Sequence, residues 1–202
     1  VYLNQFMIDR FEVTNKRFEE IIPDHKLRRS KLSRCDECPV TNVSWYEAVD
    51  YCYLTGKNLP TEAQWEKAAG NSDGCAFPWG YDFDPIDSQG RGGLDLKDKT
   101  VPVGSYPPNM YGVYDMGGNV WEWVSDWMGS GYQVSQTLID PKGPTSGVMK
   151  VRRGGAYSDN VIAMATGYRD WSHPSSRFFS DIGFRCTINV KGKFPNGLTT
   201  QD

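Results

Sequence analysis

Between Asp115 and Trp127 the chain reads Asp-Met-Gly-Gly-Asn-Val-Trp-Glu-Trp-Val-Ser-Asp-Trp. Asp115, Asn119 and Glu122 are hard oxygen donors. A tight turn through Gly117-Gly118 adds free backbone carbonyls, and together these make the ligand set that suits a calcium ion. The same residues also describe something plainer, a hydrogen-bonded turn feeding an aromatic strand. Trp121 and Trp123 alternate with Glu122, the period of two expected of a strand with one buried face. On the residues alone both readings stand.

The five cysteines, at 35, 38, 52, 75 and 186, are the second group that could do chemistry. Cys35-x-x-Cys38 has the spacing of half a zinc site or of a redox pair. Zinc needs two more soft or imidazole ligands, and only His25 and His173 exist, with no second Cys-x-x-Cys. A small disulfide, or two free thiols, fits better. His25 and His173 with Asp159 or Asp170 supply the residue types of a facial iron triad, but nothing in their spacing recommends it. No Ser/His/Asp order and no phosphate loop stands out.

The elements that must position these groups are short. Residues 2–9 read as a strand. Thr14 is an N-cap for a helix over 15–22 that Pro23 ends. Ser44-x-x-Glu47 and Thr61-x-x-Gln64 are capping boxes. The first opens a helix with Trp45, Ala48, Val49 and Cys52 on one stripe, stopped by Gly56; the second buries Trp65, Ala68 and Ala69 and ends at Gly70. The basic stretch from Lys26 to Arg34 reads as a solvated loop. From Asn71 to Asp115 the chain is mostly loop, and a loop that long needs something to hold it; Asp82, Asp84, Asp87, Asp95 and Asp98 are candidate metal ligands within it. A strand and turn follow over 149–157, a loop region over 158–181, and a last strand over 182–188.

The chain's 202 residues, 39% of them hydrophobic and 13% aromatic, suit one folded domain over 1–190 with a frayed tail over 191–202. A formal charge of −3 argues against binding nucleic acid through bulk electrostatics. No apolar run approaches the roughly 18–20 residues of a membrane span. The sequence opens at Val1 inside a strand already under way, which points to an upstream strand and any export signal lying outside it.

Asp115 to Trp123 resembles the signature of the formylglycine-generating enzyme (sulfatase-modifying factor) family. The resemblance recurs in order at Ile8-Asp9, Glu12-Val13-Thr14-Asn15, Val43-Ser44-Trp45, Leu59-Pro60-Thr61-Glu62, Pro78-Trp79-Gly80, Pro102-Val103-Gly104-Ser105, Arg153-Gly154-Gly155 and Gly183-Phe184-Arg185. It implies an α+β, C-type-lectin-like fold of small twisted antiparallel sheets, two main helices and much loop. It implies structural calcium held by Asp115 and Glu122 side chains and Gly118 and Val120 carbonyls, with Asn119 holding the turn. More loosely, it implies a second calcium at Asp87 and Asp95, with carbonyls from Ser88 and Lys97. It also implies a Cys52–Cys186 disulfide, the residues themselves allowing two buried thiols instead. With the cysteine count this favours an oxidising compartment, periplasmic or secreted.

The sequence departs from the family pattern after Arg153-Gly-Gly155. Active members carry two cysteines there that bind copper(I) as thiolates; this chain has Asp159 and Met164, and Ala156 in place of a serine. A carboxylate and a thioether do not replace two soft thiolates, so no copper and no formylglycine-generating oxidase activity are expected. The resemblance places a ligand groove over 156–181, and Trp121, Tyr157, Arg169, Trp171, His173 and Arg177, with Phe178, offer it rings and guanidinium groups. The expected function is a non-catalytic, calcium-stabilised module for a peptide, protein or small-molecule ligand. The alternative is a metal-dependent oxidase of the broader family that works by another route.

Overall fold

The computed structural model describes residues 1–70, 74–81, 98–129 and 138–190. Three helices form where their caps require. Thr14 accepts the Arg17 N–H and opens α1 (Asn15–Ile21). Ser44 and Glu47 exchange hydrogen bonds of 3.2 and 2.8 Å at the start of α2 (Trp45–Leu54). Thr61 and Gln64 do the same for α3 (Glu62–Ala69), which left-handed Gly70 terminates. The basic stretch is not simply solvated. Pro23–Arg28 forms a 3-10 helix, His25, Ser30 and Ser33 are buried, and Arg29 pairs with Glu19 and Asp36.

Among the described residues six short strands make two sheets. β1 (Phe6–Ile8) pairs antiparallel with β6 (Thr187–Asn189). The larger sheet runs β4-β3-β2-β5, from β2 (Trp121–Trp127), β3 (Lys150–Arg153), β4 (Asp170–Ser172) and β5 (Ile182–Gly183). All its pairings are antiparallel except β2 with β5. The expected strand over 182–188 is therefore two strands, one in each sheet. Phe184 to Cys186 carries the chain between them, its carbonyls taking N–H bonds from Val13 and Asp9. Gly183 makes the crossing possible: a Cβ there would lie 2.6 Å from the Val40 carbonyl oxygen.

The larger sheet is covered on both faces, so β2 lacks the expected alternation and Glu122 is as buried as the tryptophans beside it. One face carries Trp121 and Trp123 into a core with Val43, Ala48, Cys52 and Phe184. The other carries Val124 and Val151 against Trp65, Ala68 and Met116. Cys52 of α2 is bridged to Cys186 across 134 positions, and Cys35 to Cys38 across three. In the chain-entropy model the long closure is worth about 5 kcal/mol and the short one about 2. Protein bonds hold the described part of the long loop: Thr100 and Val103 donate N–H bonds to the Leu32 and Glu37 carbonyls, and Asn109 Nδ2 donates to the Ala68 carbonyl.

Candidate functional site

The turn before β2 has left-handed backbone at Asp115 (φ 57°), Gly118 (φ 101°) and Asn119 (φ 58°), a shape Gly, Asn and Asp tolerate best. Asn119 holds it in place. Its Oδ1 accepts the Val101 N–H at 3.1 Å, its Nδ2 donates to Glu12 at 2.6 Å, and its carbonyl accepts the Tyr157 N–H. Asp115 accepts the Gly104 N–H through Oδ2 at 2.6 Å, while its buried Oδ1 has no hydrogen-bond partner. Glu122 is met by a guanidinium. Arg185 reaches it through Nε at 2.8 Å and Nη2 at 2.7 Å, and Trp65 Nε1 donates to it at 2.9 Å.

Glu12 and Arg185 are the members that sequence reasoning missed. Both lie in the motif islands, yet nothing local shows that residues 12, 115, 122 and 185 meet. Glu12 and Arg185 are completely buried. Burial, reinforced by the charges of Asp115 and Glu122, pushes the Glu12 carboxyl well above the usual carboxylate range. Burial raises Asp115 to about 6, against the pull of the Gly104 N–H and of Arg185. Three carboxylates therefore face one guanidinium. Among the described residues no three His, Cys, Asp or Glu side chains are placed to hold a metal by themselves. An ion here would need backbone carbonyls, as the Gly118 and Val120 assignment supposes. The Asp87, Ser88, Asp95 and Lys97 assignment lies outside the described residues.

A second ionic group lies on the same sheet face, beyond Trp65. Arg169 forks onto Glu62 at 2.6 and 2.8 Å. Arg153 lies 3.6 Å from Glu62, pairs with Glu66, and donates to the Thr166 and Tyr168 carbonyls. Arg169 is thus tied to the start of α3. The register divides the aromatic residues expected to line a groove. Trp171 pairs with Val151 and shares the α3 face, whereas Trp121 lies with Trp123 and Arg152 on the α2 face. There the Arg152 guanidinium stacks 4.7 Å over Trp121 while pairing with Asp170.

Trp121 and Tyr157 are buried, and Tyr157 Oη lies 3.3 Å from Ser180 Oγ. Trp171, His173, Arg177 and Phe178 are exposed, Phe178 at 91%. Arg177 reaches Glu47 at 3.8 Å. Asp159 accepts the Ala156 N–H at 3.0 Å and so closes the turn after Gly155. Met164 is fully buried under that turn: a Cβ on left-handed Gly155 would meet its Cγ at 3.2 Å. Of the five cysteines, four are bridged and Cys75 alone keeps a thiol.

Two small sheets tied by the segment that crosses from β5 to β6, with α2 and α3 on opposite faces of the larger one and a turn carrying Asp115 before β2, define a formylglycine-generating-enzyme-like fold of the C-type-lectin kind. The solved structure of Treponema denticola variable protein 1 superposes with a TM-score of 0.81, covering 94% of this chain and 86% of that one at 24% identity. Residues 1–190 match the family model of the sulfatase-modifying factor enzyme 1-like domain, and the chain belongs to that family. It is 41% identical over 166 residues to the formylglycine-generating enzyme of Mus musculus, covering 75% of this chain and 44% of that protein. It is 35% identical over 218 residues to the serine/threonine-protein kinase pkn1 of Chlamydia pneumoniae, covering 94% of this chain and 34% of that protein. The chain thus spans less than half the length of these relatives.

Proposed function

We propose that this chain is a non-catalytic, calcium-stabilised module that binds a peptide, protein or small-molecule ligand on the 156–181 face. The observation that carries the reading is the use made of Asp159 and Met164. One closes a turn and the other fills the core, so neither offers a soft ligand to copper(I) at the positions that resemble the family's thiolates. With four cysteines bridged, Cys75 has no second thiol to share an ion with. The exposed side chains of His173, Arg177 and Phe178 are the ligand-facing groups, with Trp121 and Tyr157 buried beneath that region, while Trp171 is exposed on the other face of the sheet. Two disulfides support an oxidising compartment, periplasmic or secreted.

Calcium fits the turn on two counts. Asp115 Oδ1 is buried with no donor, and the surrounding carboxylates outnumber their one arginine. Asp115, the Gly118 and Val120 carbonyls and Glu122 would hold the ion, whose charge would offset the repulsion among the carboxylates. The direct test of the function is a Cys-x-Pro-x-Arg peptide incubated with the protein, with and without copper. No formylglycine is expected by mass spectrometry, and turnover comparable to that of an active relative would overturn the reading. The 41% identity to a formylglycine-generating enzyme supports the second reading, oxidation by another metal route. Stoichiometric iron or copper in purified protein would favour it, and calcium alone would favour binding.

A further inference from the structure

The loop between α1 and α2 carries a disulfide whose two residues differ in exposure. Cys35 is exposed and Cys38 is 5% exposed, whereas Cys52 and Cys186 are both fully buried. We propose that Cys35–Cys38 is a thiol–disulfide exchange site, opened by a thiolate from solution that attacks the Cys35 sulfur while Cys52–Cys186 stays closed. Exchange proceeds by a thiolate reaching one sulfur of the bridge, and that attack is assigned to Cys35, the exposed residue of the pair. The new bond joins the incoming sulfur to Cys35. The Cys35–Cys38 bond breaks, its electron pair stays on Cys38 as the leaving thiolate, and that thiolate takes a proton from water. A second thiol then attacks the mixed disulfide at the incoming sulfur and frees Cys35. Two thiols are oxidised to one disulfide as the pair is reduced by two electrons.

The surrounding chain is built to survive that opening. Asn15 donates its N–H to the Cys38 carbonyl at 2.9 Å, and its Nδ2 donates to the Ser33 and Cys35 carbonyls at 2.8 and 2.9 Å. Lys16 and Val103 donate N–H bonds to the Asp36 and Glu37 carbonyls. These bonds pin the loop from both sides of the bridge, so the sulfurs stay near each other when it opens and re-closure is intramolecular. Asp36, between the two cysteines, lies 2.8 Å from Arg29 and is held below the usual carboxylate range by Arg29, Lys26 and Lys16. A neighbourhood of lysine and arginine favours thiolate over thiol.

The test uses the folded, oxidised protein in two arms, one with glutathione and one with reduced thioredoxin, each quenched with acid, alkylated and mapped by mass spectrometry. Cys35 and Cys38 are expected to take the label at least about tenfold faster than Cys52 and Cys186, while the melting curve stays cooperative. The Cys38→Ser protein is expected to take up glutathione on Cys35 from oxidised glutathione and keep it, because no resolving sulfur remains. A faster glutathione arm identifies a small thiol as the partner, and a faster thioredoxin arm identifies a protein dithiol. The proposal is overturned if neither arm opens the pair in folded protein, if both disulfides open together, or if the wild-type mixed disulfide maps to Cys38. No readout depends on the ligand face, so this result and the binding reading stand or fall separately.

Discussion

Glu122 and Arg153 sit opposite each other across β2 and β3, yet each turns to another partner, and the two ionic groups they enter are built differently. On one side of Trp65, Glu122 joins Glu12 and Asp115 around Arg185. On the other, Arg153 and Arg169 meet Glu62 and Glu66. Trp65 separates the two, donating its Nε1–H to Glu122 while Arg153 lies 5.4 Å over its ring. The second group is balanced, two carboxylates against two guanidiniums. Nothing in its charge calls for an ion, and its role is to tie α3 to β3 and β4. The first group sets three carboxyl groups against one guanidinium at a buried site, and one of the carboxyl oxygens has no donor. Burial raises the cost of like charges, so a surplus of this kind implies a proton or a cation. The comparison therefore separates a group whose charges balance from one whose carboxyl groups outnumber their guanidinium.

The largest expected effect comes from removing the guanidinium of the surplus group. Arg185→Met should cost about 3–5 kcal/mol, since it leaves Glu122 buried without its partner; urea denaturation measures it. A loss below about 1 kcal/mol would show that Glu122 does not depend on Arg185. Next comes calcium. If Asp115 and Glu122 hold the ion, chelation should lower the melting temperature, and calcium at about a hundred times its Kd should restore about 2.7 kcal/mol. Asp115→Asn should abolish that response and leave the balanced group untouched. A melt indifferent to chelator would mean the turn is held by hydrogen bonds alone.

The pH response sharpens the comparison further. The folded Asp115 carboxyl lies near 6, above its ordinary value of 3.8. In chelated protein this group's stabilising share is fully present below the unfolded pKa, and it is lost as pH rises from about 4 through 6. A rise of that size corresponds to a full change of about 2–3 kcal/mol, and thermal melts between pH 4 and 7 would record it. With calcium bound the sign should reverse, because protons then compete with the ion. Smallest is Arg169→Met. Glu62 keeps Arg153 nearby and Arg169 is partly solvated, so a loss of about 1 kcal/mol is expected. A loss as large as that of Arg185→Met would remove the distinction between the two groups.

Much of the frame is legible along the chain. Each helix start is a local matter, decided by a hydroxyl and a partner three residues on, and Thr14, Ser44 and Thr61 cap where their spacing indicates. The glycines and Asn119 mark the turn before β2 for the same reason, since left-handed backbone is a property of single residues. The strand over 121–127 follows from its aromatic, β-prone run. The motif islands identify the family because they recur in order, and the residue types at 159 and 164 already speak against a pair of thiolates.

Distance in the chain hides the rest. Period-two patterning predicts one polar face for β2, but whether Glu122 meets water depends on α3 covering that face and on Arg185, 63 positions later, supplying its counter-charge. The break of the last strand into β5 and β6 is set by the need to reach two sheets at once. The faces taken by Trp121 and Trp171 are set by the register of β2, β3 and β4, and a shift of one residue would exchange them. Caps, turn and family are thus written in runs of neighbouring residues, where each choice needs only a few positions to agree. Which carboxylates share one arginine emerges only when the chain has folded, because burial and charge are summed over neighbours in space and not along the sequence.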